Sequence, residues 1–215
     1  ATNQYEAARH AVAKFIHAED ASHIVWTKGT TESINLVAYA WGQKHIEKND
    51  VIVVLGSEHH ANFVPWQQLA KGKQARFEVV NITDKGNVDL EHYRQLLTQR
   101  PKLVALQHCS NALGNIHPID ILVALAKQAG AITLVDGAQA VAHLEVNVQE
   151  IGSDFYAFSG HKMYRPTGVG VLYLSQRVEA QMQPFHYGGE MIQHVSIEET
   201  RFRPIPYLLE TGTPN

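Results

Sequence analysis

Ile132-Thr133-Leu134-Val135-Asp136-Gly137-Ala138-Gln139 and Asp154-Phe155-Tyr156-Ala157-Phe158-Ser159-Gly160-His161-Lys162 decide the reading of this chain. Each opens with a short apolar run that reads as a buried strand and closes on polar residues. A carboxylate, Asp136, and a lysine, Lys162, therefore both stand where strands end, 26 residues apart. In open α/β sheets that edge is where ligands bind.

Outward from these two stretches, strand-like and helix-like segments alternate. Strands are expected at Ile24–Thr27, Val51–Leu55, Arg76–Val80, Leu103–Gln107, Ile132–Val135, Asp154–Phe158 and Val169–Tyr173. Helices are expected at Gln4–His17, from Gly29-Thr30-Thr31 to about Trp41, from Pro65 to Lys71 before Gly72, at Asp89–Leu97, and at Asp120–Ala129 before Gly130. The alternation predicts a three-layer α/β/α fold with a mostly parallel sheet. From Gln183 onward the pattern breaks down. Gly188-Gly189, Pro204, Pro206 and Pro214 mark an irregular segment. The expected division is therefore 1–182 for the layered domain and 183–215 for the irregular part. The first residues read as helix interior and the last five as a turn, so a longer protein is expected.

Composition narrows the function. The chain has 215 residues, 45% of them hydrophobic, enough for a substantial core. Its net charge is −3, and its basic residues stand singly, so no nucleic-acid partner is expected. No apolar stretch reaches the ~18 residues of a membrane span, and no signal-peptide pattern opens the chain. The single cysteine, Cys109, precludes an intrachain disulfide, consistent with a cytoplasmic protein. Thirteen histidines are dispersed without metal-ligand spacing, so no metal is expected.

A strand-end lysine with a carboxylate near it suits pyridoxal phosphate (PLP). The lysine forms a Schiff base and the carboxylate keeps the ring nitrogen protonated. Gly29-Thr30-Thr31-Glu32-Ser33 lies between a strand and a helix, where free N–H groups attract phosphate; taken alone, a simple helix cap is the better reading. In Glu58-His59-His60-Ala61-Asn62 an imidazole is placed to stack on a flat ring, to cap the next helix, or, least favoured, to bind metal. Ser110-Asn111 read alone is an ordinary turn. Gln139 is placed to curl back towards Asp136. Lys162 alone would read as a solvated surface lysine. Four polar strand ends together outweigh each bland reading.

At these residues the chain resembles the PLP-dependent cysteine desulfurases of the class V aminotransferase superfamily, most closely the SufS/CsdA type. The matching strings are Gly29 to Asn35, Glu58 to Trp66, Ser110-Asn111, Val135 to Gln139, Phe158 to Lys162 and Gly212 to Asn215. The resemblance implies the large domain of a fold-type I (aspartate aminotransferase-like) PLP enzyme. It implies Lys162 as Schiff-base lysine and proton shuttle, Asp136 on the pyridinium nitrogen, Gln139 on the ring hydroxyl and His59 stacked on the ring. Thr31, Ser159 and His161 would hold the phosphate with Thr30 close by, and Asn111 would lie near the ring hydroxyl. Thr213 would reach the phosphate of a neighbouring subunit, so a homodimer with shared sites is implied.

The implied activity converts L-cysteine to L-alanine and an enzyme persulfide, passed to a sulfur-acceptor protein. Selenocysteine lyase, another class V β-lyase or aminotransferase, and an inactive PLP-binding dimer are the alternatives. The attacking cysteine and a substrate-binding arginine are expected in a C-terminal domain beyond residue 215. Cys109 does not match the catalytic position and is expected to pack as a small apolar residue. Arg165 departs from the family's usual glycine. A positive φ there would strain the turn after Lys162.

Overall fold

The computed structural model describes residues 2–213. Seven strands form one sheet: β1 (Ile24–Thr27), β2 (Val51–Leu55), β3 (Arg76–Val80), β4 (Leu103–Gln107), β5 (Ile132–Asp136), β6 (Phe155–Ser159) and β7 (Gly170–Leu174). Their spatial order is β1-β7-β6-β5-β4-β2-β3. β7 runs antiparallel to both neighbours and every other pairing is parallel. All strands except β7 therefore point one way. The C-terminal ends of β1, β2, β4, β5 and β6 share one edge.

The apolar runs are continuous because both faces are covered. Successive side chains alternate between faces. Val51, Val53, Leu55, Val104, Leu106, Val135 and Tyr156 pack on one side, with residues of α1 (Thr2–Phe15), α5 (Leu90–Leu97) and α6 (Ile119–Gln128). Ile52, Val54, Leu103, Ala105, Leu134, Phe155 and Ala157 pack on the other, with α2 (Thr30–Val37) and α4 (Val64–Lys73). The expected three-layer arrangement is thus present.

Some boundaries differ from the sequence reading. α2 widens into a π turn at Ala38–Gly42 and continues as α3 (Gln43–His45), four residues past Trp41. α4 runs through Gly72 to Lys73; the left-handed stop falls on Gln74 (φ 55°), whose N–H bonds back to Ala70 and Lys71. α6 does stop before Gly130, which takes φ 88°. Residues 183–213 are not wholly irregular. β8 (Ile192–Val195) and β9 (Thr200–Phe202) pair as an antiparallel hairpin. Its short strands are largely exposed, so no apolar alternation announces it.

A buried ion cluster fixes the segment after this hairpin. Arg9 is 1% exposed and donates from Nη1 to Ile24 O and Glu210 Oε1, each at 2.7 Å. Glu210 also accepts from the Trp26 N–H (2.7 Å) and from Tyr5 Oη (2.9 Å). α1, β1 and the approach to Thr213 are held by one carboxylate.

Candidate active site

The shared strand edge carries a cavity of about 250 Å³. Its wall holds Thr30, Thr31, His59, Asn111, Asp136, Gln139, Ser159, His161 and Lys162, so every expected site residue except Thr213 converges there. Larger hollows elsewhere, of about 320 and 640 Å³, lack this combination of buried acid and lysine.

Asp136 is the last residue of β5 and is 5% exposed. The Ala138 N–H donates to its Oδ1 at 2.9 Å. Burial pushes the carboxyl above its ordinary value, while the Ala138 N–H, Lys162 and His59 pull it down. A buried acid of this kind favours a cationic partner in the cavity. Gly137 lets the chain turn against the Tyr156 ring, into which a Cβ would run.

Lys162 lies in the 3₁₀ turn Gly160–Met163 directly after β6. The turn ends at Tyr164, which takes the left-handed conformation at φ 61°. The strain anticipated at Arg165 is therefore absent there; the chain reverses one residue earlier.

Ser159 and Thr30 close the other end. The Thr30 N–H donates to Ser159 Oγ at 2.7 Å, and the two hydroxyls share a hydrogen at 2.6 Å. One hydroxyl hydrogen is left for a ligand. No side chain caps α2, so the plain capping reading of Thr30-Thr31 fails. Gly29 and Gly170 let β7 approach this turn; a Cβ on Gly170 would fall on the Gly29 backbone.

His59 does cap the next turn, accepting the Ala61 N–H on Nδ1 at 3.1 Å, which leaves Nε2 as the protonated nitrogen. Its ring still lines the cavity. Ser110 keeps the turn role, its Oγ accepting the Leu113 N–H, while Asn111 is exposed in the cavity wall.

Two placements depart from the sequence reading. Cys109 is half-buried and lines the cavity instead of packing into the core, because it pairs with Ile116 at the rim. Burial raises its thiol pKa, against thiolate chemistry. Thr213 lies in a separate hollow with Tyr5, Trp26, Lys28 and Glu32, away from its own chain's Lys162. Pro214 and Asn215 of the same string lie outside the described residues.

Sequence reasoning missed Gln107. It ends β4, stands in register with Asp136 and is 2% exposed in the cavity wall. Its signal was available: a polar residue closing an apolar strand, as Asp136 closes β5.

The layered fold with a lysine and an acid at one strand edge defines a class, and the class is shown independently. The chain belongs to the class-V aminotransferase family, whose model, Aminotransferase class-V, matches residues 1–215. Within it the similarity is to cysteine desulfurases. A probable cysteine desulfurase of Vibrio cholerae is 44% identical over 215 residues, covering all of this chain and 53% of the relative. One of Mycolicibacterium paratuberculosis is 46% identical, with 31% of it covered. The chain thus spans about half or less of the relatives' length. Among solved structures, the apo cysteine desulfurase of Thermococcus onnurineus NA1 superposes at TM-score 0.96 with 43% identity, covering all of this chain and 53% of that one. CsdA of Escherichia coli, in an S-sulfonic acid form, superposes at 0.95 with 41% identity, covering all of this chain and 54% of that one. Among the described residues no helix is long and apolar enough to cross a membrane, and no cluster of side chains is fit to hold a metal ion.

Proposed function

We propose that this chain is the cofactor-binding part of a PLP-dependent cysteine desulfurase. The observation that carries the reading is the placement of Asp136 and Lys162 on adjoining strand ends, facing one cavity. When bound, PLP supplies an electron sink for the pair left at an amino acid's α-carbon.

The residues present suit that group. Asp136 would meet the ring nitrogen, a cation satisfying an acid that burial alone disfavours. His59 would cover the ring face, with Gln139 and Asn111 at the ring hydroxyl. Thr30, Thr31, Ser159 and His161 offer donors to the phosphate. Lys162 would anchor the cofactor and carry a proton to and from the substrate's α-carbon. Cys109, with its raised pKa, is not the nucleophile in this reading; the attacking thiol belongs elsewhere in the protein.

The substrate assigned is L-cysteine, with L-selenocysteine differing only in the chalcogen. The products are L-alanine and sulfur held on the enzyme for an acceptor protein in the cytoplasm. Residues 1–182 form the cofactor domain and 183–215 complete the site in a homodimer, where Thr213 reaches a neighbouring subunit's phosphate. Full-length protein incubated with L-cysteine and a thiol reductant should release alanine and sulfide in equal amounts. Lys162→Ala should reduce both by at least about 10³-fold, the scale of a lost general base or nucleophile. Release of pyruvate and ammonia instead of alanine would replace this reading with a β-lyase.

A further inference from the structure

Among the buried side-chain atoms without a hydrogen-bond partner are two oxygens of residues that meet, the Gln107 backbone N–H lying beside the Glu58 carboxyl. One is Glu58 Oε1, the other Gln107 Oε1. Glu58 follows β2 and Gln107 ends β4, the adjacent strand, and the turn His60–Asn62 packs against β4. As a carboxylate and an amide carbonyl, both oxygens are acceptors only, so neither can satisfy the other. Leaving a buried acceptor unpaired costs the desolvation of that group.

A hydrogen-bond chain shows where a proton would go. The Trp66 indole N–H, which can only donate, bonds to Asn62 Oδ1 at 2.9 Å. That fixes the Asn62 amide. Its Nδ2 must be the group that donates to Glu58 Oε2, at 2.8 Å. Oε2 is therefore the accepting oxygen, and a proton on Glu58 belongs on Oε1, the atom without a partner. On the adjacent strand end, the buried acceptor that lacks a donor is Gln107 Oε1.

We propose that Glu58 is a neutral carboxylic acid donating to the Gln107 side-chain carbonyl, and that this pair positions the Gln107 amide in the cavity wall beside Asp136. Gln107 Nε2 then points to Asn111 Oδ1, at 3.4 Å, linking the turn after β2 to the loop after β4. The charged group facing Glu58 is Asp136, from β5; Lys162 and His59 act in turn on Asp136. Burial first and the Asp136 charge second raise the Glu58 carboxyl well above its ordinary value, against the Asn62 hydrogen bond and the weaker pull of the Gln107 and Leu55 backbone N–H groups. With Glu58 neutral, one negative charge instead of two faces the cavity floor. Glu58 and Gln107 are positioning residues here, acting through Asp136 and Asn111. That consequence for the cofactor rests on the function proposed above. The protonation state does not.

The test uses cofactor-free full-length protein with ¹³C at the glutamate carboxyls, followed by NMR across pH. Ordinary glutamates titrate near pH 4.3. One signal should stay at the protonated position well above that value, and should vanish in Glu58→Gln. If that variant does not fold, the shorter acid Glu58→Asp assigns the signal by removing it from the labelled glutamate set. Gln107→Leu should shift the Glu58 signal by removing its acceptor. Titration of every glutamate in the ordinary range would overturn the proposal; it would mean an ionised Glu58 receiving the Gln107 amide N–H instead. An unmoved Glu58 signal in Gln107→Leu would overturn the pair. Pyridoxyl labelling of the holoenzyme tests the functional reading separately.

Discussion

His108 shows how one buried side chain beneath the site sets a pH limit on the whole fold. It is 7% exposed, and its Nδ1 lies 2.9 Å from Tyr156 Oη. Burial chiefly, and His117 after it, lower its pKa from 6.5 to about 4. Between those values the unfolded chain binds a proton that the folded chain refuses. Stability is therefore full above pH 6.5 and declines as pH falls towards 4, by up to about 3 kcal/mol from this residue. Buried His117, also lowered, adds in the same direction. Urea unfolding midpoints should fall across this range, and His108→Gln should flatten the fall while keeping an acceptor for Tyr156. An unchanged slope in that variant would assign the acid sensitivity elsewhere. Most site residues were legible at this scale. Asp136 and Lys162 betray themselves by closing apolar strands. Gln107 closes its strand in the same way and was passed over; Glu58 does not, and a lone buried acceptor is invisible until the neighbouring strand is known.

At the scale of elements, the strands of the sheet were readable because both faces are buried and the runs are uninterrupted. Four, β1 to β4, have the expected bounds; β5 runs one residue further, and β6 and β7 are displaced by one residue at both ends. The hairpin β8–β9 was not readable, since its strands are largely exposed and pack on little. Nor was the join between the first helix and the last described segment, which depends on Arg9 and Glu210 meeting across 201 residues. Removing one partner of a buried pair typically costs about 3–5 kcal/mol because a charge is stranded. Here Arg9 keeps Glu6 and the Ile24 carbonyl, so Glu210→Ala should cost about 3 kcal/mol, at the low end of that range. Denaturant titration of the full-length protein would measure it. A loss below about 1 kcal/mol, the scale of an exposed pair, would show that the cluster does not hold the segment in place.

Across the whole molecule, the separation of Thr213 from its own Lys162 cavity is the geometry that a shared site requires. In a two-fold dimer each copy would lend Thr213 to the other. Mixing Thr213→Ala with Lys162→Ala subunits tests this. A heterodimer with exchanged residues holds both defects in one site and leaves the second site intact. Activity should therefore be about half that of the parent per heterodimer if the sites act independently. If mixing instead leaves both sites of the heterodimer impaired, Thr213 acts within its own chain.

The central claim is that Lys162 and Asp136 form one PLP site at the edge of the sheet. Borohydride reduction of the full-length holoenzyme followed by peptide mapping tests it most directly. The protein should be yellow before reduction and lose that colour after it, with the pyridoxyl group on the peptide carrying Lys162. A pyridoxyl group on any other lysine, or none on Lys162, would contradict the account.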